Sequence, residues 1–297
     1  MKPLILIISF VFLCINQSNY LYAADNIGHE WRTRLSVTDR DTFSETDLDE
    51  EITFGREVSA RLLGQFKMSA NKKLQKYVNL VGSTLAWNCS RPELVFHFVV
   101  IESSEINAYS TPGGYVFITT SVLAKMDNEA ELAGVLAHEI AHITERHIVK
   151  ELSLRGAEQT GLASISALIG GASKTASIAF SQAVDKAVDL LLRDGYKKED
   201  EIQADATAVL LCALSGYDTS GLITFLDKIS KVKSGVGKTY PKYDLRLATL
   251  QRAVSEQGIA GVKLAVNSER FAATLKKAEQ GSSPIDMIRN VIPGGTP

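Results

Sequence analysis

From Asp47 onward the chain alternates between two rhythms of apolar and polar residues. In DLDEEITFGREVSARLLGQF, Ile52, Phe54, Val58, Leu62 and Leu63 fall at helical spacing behind an acidic first turn. NKKLQKYVNLVGSTLAW repeats that rhythm through Leu74, Tyr77, Val78 and Val81. The pattern then changes. LVFHFVVIES is β-branched and aromatic and predicts a strand. INAYSTPGGYVFITTSVL predicts a strand, a tight turn at Pro112-Gly113-Gly114 and a second strand. Beyond Leu123 helical spacing returns, predicting helices over 128–150, 153–170, 176–192, 198–215, 218–231 and 243–257. Strands gathered early and helices late predict an α+β fold, mainly helical with a small early sheet, rather than alternating α/β.

The first residues follow neither rhythm. Lys2 precedes an apolar run from Leu4 to Cys14, then polar residues, then Leu21-Tyr22-Ala23-Ala24. This is the layout of a secretory signal, with cleavage expected after Ala23 or Ala24, and it predicts export. The run is about half the roughly 20 residues a spanning helix needs. Cys14 raises a lipid-anchored alternative, which the bulk of Leu13 opposes. The expected organisation is a signal peptide over 1–24, a polar arm over 25–45, a catalytic domain over 46–257 and a helical tail over 258–297. The uncharged stretch from Gln159 to Ser173 is too short to cross a bilayer and offers at most a peripheral membrane contact.

Composition narrows the function little. With 45% hydrophobic and 22% charged residues, the 297-residue chain can bury a sizeable core. A formal charge of −2 provides no global field for nucleic acid, and the short lysine pairs read as solvated helix faces. After signal removal Cys89 and Cys212 remain. They permit one disulfide in an oxidising compartment, although Cys212, in an apolar helix, suits a buried free thiol equally well.

The chemistry concentrates in HEIAHITERH, residues 138–147, which holds three of the chain's five histidines. Asn128 is placed to cap the helix, and Glu131 completes a capping box. His138 and His142 are one turn apart and project from one face, so their imidazoles can hold a single zinc ion. Glu139 follows the first ligand and can take a proton from water at the open coordination position. An ordinary helix with exposed histidines is the competing reading. The apolar flanks GVLA and IA oppose it, because they bury the polar residues and oblige them to find partners.

A catalytic zinc takes three protein ligands, so a third is needed. No glycine stands at 145 and no histidine at 148, which removes the metzincin pattern, and 161 is a glycine. Further on, EDEIQADATAVLLCALSGYD places Glu201 and Asp205 one turn apart on an otherwise apolar helix. Zinc accounts for Glu201, and the ring N–H of a ligand histidine accounts for Asp205. An acidic first turn favoured by the helix dipole accounts for Glu199 and Asp200 but not for Asp205.

HEIAH, the later E-x-x-x-D of Glu201 and Asp205, and INAYSTPGGYVFITTSVL upstream together resemble the gluzincin peptidases of family M48. That family includes the CAAX prenyl endopeptidases, HtpX and BepA. The likeness runs from about Glu50 to about Leu250. It implies a zincin-like fold whose edge strand borders the active-site cleft. It also implies one Zn2+ held by His138, His142 and Glu201, with Glu139 as catalytic base and Asp205 as supporting acid. The strand at Asn107, Ala108 and Tyr109 would align extended polypeptide substrate through its backbone. Arg246 matches an arginine kept near the cleft, and either pairs with a carboxylate, contacts substrate or forms a surface ion pair. Exported relatives often carry a late Thr-His-Pro whose histidine caps the zinc. Here Tyr240 precedes Pro241 and no histidine follows His147. Tyr240 could replace that cap as a weak ligand or as a donor to an oxyanion, or it could simply pack.

His147 lies about 140° around a continuous helix from His142, poorly placed as a ligand, and is read as supporting the helix or the site. His97 and His29 have no supporting pattern. The expected function is an exported zinc metalloendopeptidase of the Gram-negative periplasm, acting in quality control on unfolded or misassembled envelope proteins. The alternative is a holdase or assembly factor with a closed or little-used metal site. Prenyl-protein processing would need several membrane spans.

Overall fold

In a computed structural model the described residues are 45–153, 174–230 and 243–280. The signal and arm, the helix expected over 153–170 and Tyr240 lie outside them. Helix α1 (Glu45–Leu63) leads to the short strand β1 (Lys67–Met68) and helix α2 (Lys72–Ala86). Strands β2 (His97–Glu102), β3 (Ala108–Thr111) and β4 (Tyr115–Thr119) follow, then a turn of helix, α3 (Thr120–Leu123). The rest is helical: α4 (Glu129–Thr144), α5 (His147–Ser153), α6 (Lys174–Asp189), α7 (Lys198–Leu214), α8 (Ser220–Ser230), α9 (Tyr243–Glu256) and α10 (Ser268–Gln280). The fold is α+β and mainly helical, with its sheet early, as the apolar rhythm predicts.

The four-stranded sheet has the order β1-β2-β4-β3. β2 runs parallel to β4, and β3 and β4 form the expected antiparallel hairpin, with Tyr109 opposite Phe117. Gly113 and Gly114, at φ 77° and 99°, make its turn, a conformation that costs a side chain strain. β3 is an edge strand, with β4 on one side and no strand on the other among the described residues. Alternation along β3 sends successive side chains to opposite faces. Tyr109 joins the core formed by Phe54, Val58 and Leu62 of α1 with Ile101, Phe117 and Val184.

Helix α4 is buried over its whole length, so the amphipathic stripe of a surface helix is missing from it. Its start is fixed locally. The Asn128 side chain accepts from the Glu131 N–H at 2.9 Å, and Glu131 accepts in return from the Asp127 N–H at 2.9 Å. Glu129, fully buried, is held by Tyr77, by Asn267 at 3.1 Å and by Arg270, which ties α10 to the start of α4. Close packing of α8 on α4 depends on Gly134 and Gly221. A Cβ on Gly221 would lie 2.1 Å from the Ala130 carbonyl oxygen.

One predicted helix is broken. The expected 128–150 segment ends at Thr144, Glu145 caps it, and Arg146 adopts a left-handed φ of 57° before α5 begins at His147. A tertiary contact accompanies the break. Arg146 Nε donates to buried Glu51 at 3.2 Å, and Glu51 also receives both terminal nitrogens of buried Arg91 at 3.2 Å. Likewise α6 runs into a π-turn over Leu190–Asp194, ended by Gly195 at φ 72°.

Candidate metal centre

Helices α4 and α7 pack together and bring the two sequence motifs face to face. From α4, His138 Nε2 and His142 Nε2 point at one another, 3.1 Å apart. From α7, Glu201 sets Oε2 3.5 Å from His138 Nε2 and Oε1 3.6 Å from His142 Nε2. All three residues are buried. Ligands about 2.0–2.2 Å from a tetrahedral ion stand about 3.3–3.6 Å from one another, so this triangle has the size of one face of such a site. Glu201 Oε2 is buried without a hydrogen-bond partner among the described residues. A buried carboxylate oxygen that faces two imidazoles and has Arg246 only at ion-pair distance is better satisfied by a bound cation. The donor set fits a divalent ion.

Behind His138 stands an ion pair. Its Nδ1 is 3.0 Å from Asp205 Oδ1, and Arg246 of α9 forks onto Asp205 with Nε at 2.8 Å and Nη2 at 2.6 Å. Asp205 and Arg246 are both buried, so of the roles open to Arg246 the geometry is carboxylate pairing. Its Nη1 also reaches within 3.6 Å of Glu201 Oε2. Burial works to raise the Asp205 pKa, but the Arg246 charge and its hydrogen bonds outweigh that and hold it low. For His138 without a cation, burial works to lower the pKa, and the bonds to Asp205 and Glu201 prevail, raising it to about 9.

His142 is treated differently. Burial and then the neighbouring His138 push its pKa well below the ordinary histidine range. Its Nδ1 meets His147 Nδ1 at 2.7 Å, and Tyr196 stacks on its ring with centroids 3.9 Å apart and planes 12° from parallel. The sequence argument that His147 is rotated away assumes an unbroken helix. The left-handed turn at Arg146 returns its ring to His142.

Glu139 lies beside the metal-binding face and accepts from Ser110 Oγ of β3 at 2.8 Å. Its pKa is raised, chiefly by burial, with His138 and the Ser110 bond opposing. Asn107 and Ala108 sit at the start of the edge strand, where the Asn107 side chain accepts from the Ala108 N–H at 2.9 Å. The Tyr109 ring is buried against Phe66, so at this edge Tyr109 offers backbone only. Tyr240 lies outside the described residues. Cys89 and Cys212 are both free thiols, Cys212 buried in α7.

Sequence reasoning passed over Ser110, Tyr196 and the contact made by His147. Ser110 had a signal, because strand alternation turns it away from the face of Tyr109 and Thr111. Tyr196 had none, because a π-turn delivers it.

These features define a class, a helix-borne His-Glu-x-x-His site completed by a glutamate from a second helix. The sequence model of Peptidase family M48 matches residues 72–254, and the chain belongs to that family. The chain is similar to a beta-barrel assembly-enhancing protease of Yersinia pestis, 28% identical over 70% of this chain and 45% of the relative. It is similar to the protein of the same name from Escherichia coli K12, 29% identical over 63% of this chain and 39% of that one. A mitochondrial metalloendopeptidase OMA1 of Schizosaccharomyces pombe is 22% identical over 75% of this chain and 66% of its own. The chain spans less than half the length of the first two relatives.

Proposed function

We propose that this chain is a zinc-dependent metalloendopeptidase that hydrolyses internal peptide bonds of exported, unfolded or misassembled envelope proteins. The observation that carries this reading is buried Glu201 Oε2, which makes no hydrogen bond among the described residues and faces the paired imidazoles of His138 and His142. Bound there, zinc supplies a Lewis acid that polarises the scissile carbonyl and brings the pKa of water towards neutrality.

The remaining steps belong to the protein. Glu139 takes the proton of the attacking water and returns it to the leaving amide nitrogen, a role worth about 10²–10⁴-fold in rate. Ser110 holds one Glu139 oxygen, leaving the other for that proton. Asp205 keeps the His138 proton on Nδ1, so that Nε2 faces the ion, and Arg246 keeps Asp205 ionised. The edge of β3 at Asn107, Ala108 and Tyr109 receives an extended peptide through main-chain hydrogen bonds, which suits substrates of varied sequence.

Zinc, rather than another divalent ion, is favoured by two nitrogens and one carboxylate at tetrahedral spacing. Export is supported by the signal layout of residues 1–24, and no described helix is long and apolar enough to cross a membrane. An envelope substrate also fits relatives whose name ties them to β-barrel assembly.

The test is casein hydrolysis by the zinc-loaded chain beside Glu139→Gln, with bound metal measured in both. The reading expects both to hold metal and only the parent to cleave. Equal cleavage by the two, or none by a metal-loaded parent, sinks it and leaves the holdase alternative.

A further inference from the structure

Among the described residues, no carboxylate meets the second ring nitrogen of His142. At 2.7 Å, its Nδ1 and that of His147 must share one proton, since two lone pairs or two N–H groups at that distance repel. On the metal-binding reading above, which this inference extends, His142 Nε2 spends its lone pair on the ion. Its proton therefore sits on Nδ1 and is donated to His147 Nδ1. His147 must then carry its own proton on Nε2, which faces Gln203 Oε1 at 3.2 Å. The Gln203 amide is oriented in turn, because its Nε2 donates to Glu145 Oε2 at 2.5 Å. Every group in the chain from His142 to Glu145 thus has one permitted polarity.

The backbone is arranged to make this chain possible. On an unbroken helix His147 would stand about 140° around the axis from His142. The left-handed Arg146 returns it, and the His147 side chain is fully buried. Tyr196, stacked on His142 and 5.9 Å from the His147 ring, limits rotation of the ligand ring. A buried imidazole serving only as filler would need none of this polarity.

We propose that His147 is a positioning residue for the metal centre: as an Nε2–H tautomer held by Gln203, it accepts the His142 Nδ1 proton and so fixes the ring and basicity of His142. Partners of this kind typically alter metal affinity or activity about 10–100-fold when removed.

The test has two arms. Long-range 15N–1H spectra of the zinc-loaded chain should show His147 protonated on Nε2 with a bare Nδ1. A His147 protonated on Nδ1, or on both nitrogens, overturns the proposal. Chelator-competition titration with zinc then compares variants whose folding is checked by circular dichroism. His147→Phe keeps the ring and removes the acceptor, and should weaken zinc binding about 10–100-fold. His147→Asn, whose side-chain oxygen can sit near the lost Nδ1, should recover most of that loss. Parent-like affinity in His147→Phe, or Asn no better than Phe, refutes the assignment. Should the Phe variant fail to fold, Gln203→Leu at an exposed position replaces it, with a smaller loss expected and unchanged affinity contradicting the proposal. A parent that binds no zinc removes the metal reading itself, whereas a parent that binds zinc regardless of His147 removes only this inference.

Discussion

The two histidines proposed as ligands share a helix face, yet their surroundings follow opposite rules. His138 is backed by charge, through Asp205 and the Arg246 fork on it. His142 is backed by a neutral imidazole and amide, His147 and Gln203, with carboxylates only beyond them and Tyr196 stacked on its ring. A carboxylate holds an imidazole strongly but also invites it to take a second proton. A neutral acceptor fixes the tautomer without that invitation. The pKa directions follow this division, since His138 is raised to about 9 and His142 falls well below the ordinary value. One ligand is anchored by electrostatics and the other by geometry.

The largest effect should come from breaking the charged side. Asp205→Ala strands a buried Arg246, and losing one partner of a buried pair costs about 3–5 kcal/mol, readable by urea unfolding. Arg246→Met should cost less, about 1–3 kcal/mol, because Asp205 keeps its bond to His138. If the two variants were equal, the asymmetry between them would be wrong.

The pH dependence of the chelated chain sharpens the contrast. His138, raised above its unfolded value of 6.5, contributes stability that is fully present below pH 6.5 and lost as pH rises towards about 9. His142 is depressed, so protonation favours its unfolded state, and it costs stability as pH falls below 6.5. Asp205, also depressed, contributes stability that persists above its unfolded pKa of about 3.9 and is lost as pH falls through its lower folded value. Melting temperature without metal should therefore decline on both sides of a maximum near pH 6–7. On the proposed reading zinc displaces the His138 proton, so binding at pH 7–8 should release close to one proton, measurable in weakly buffered solution. A flat profile and no proton release would contradict the charged-side account. The smallest effect tests the base alone. Ser110→Ala touches neither ligand and should lower kcat about tenfold or less while leaving KM and zinc affinity near parent values, as a loosened general base would.

How much of this could be read in advance depended on how local the cause was. His138, His142 and Glu139 were legible because helical spacing alone puts them together, and Asn128 capped the helix as its side chain allows. Glu201 and Asp205 were legible for a similar reason, as carboxylates one turn apart on an apolar helix that needed an answering charge. Arg246 was legible as a candidate but not in its role, because α9 must first pack beside α7. The break at Arg146 was illegible. It coincides with a contact to Glu51, far away in the sequence on α1, and the course of His147 changes with it. Tyr196 depends on a π-turn that no apolar period announces. Long-range ionic contacts and backbone irregularities escape a reading built on periodicity.

The central claim is that two imidazoles from α4 and one carboxylate from α7 enclose a single divalent cation. Zinc stoichiometry and affinity of the parent beside Glu201→Gln, measured after exhaustive dialysis, test it most directly. The account predicts one zinc per parent chain and a loss of at least about tenfold in affinity when the carboxylate is neutralised. A parent that retains no zinc, or a Glu201→Gln variant that binds it as tightly as the parent, would contradict it.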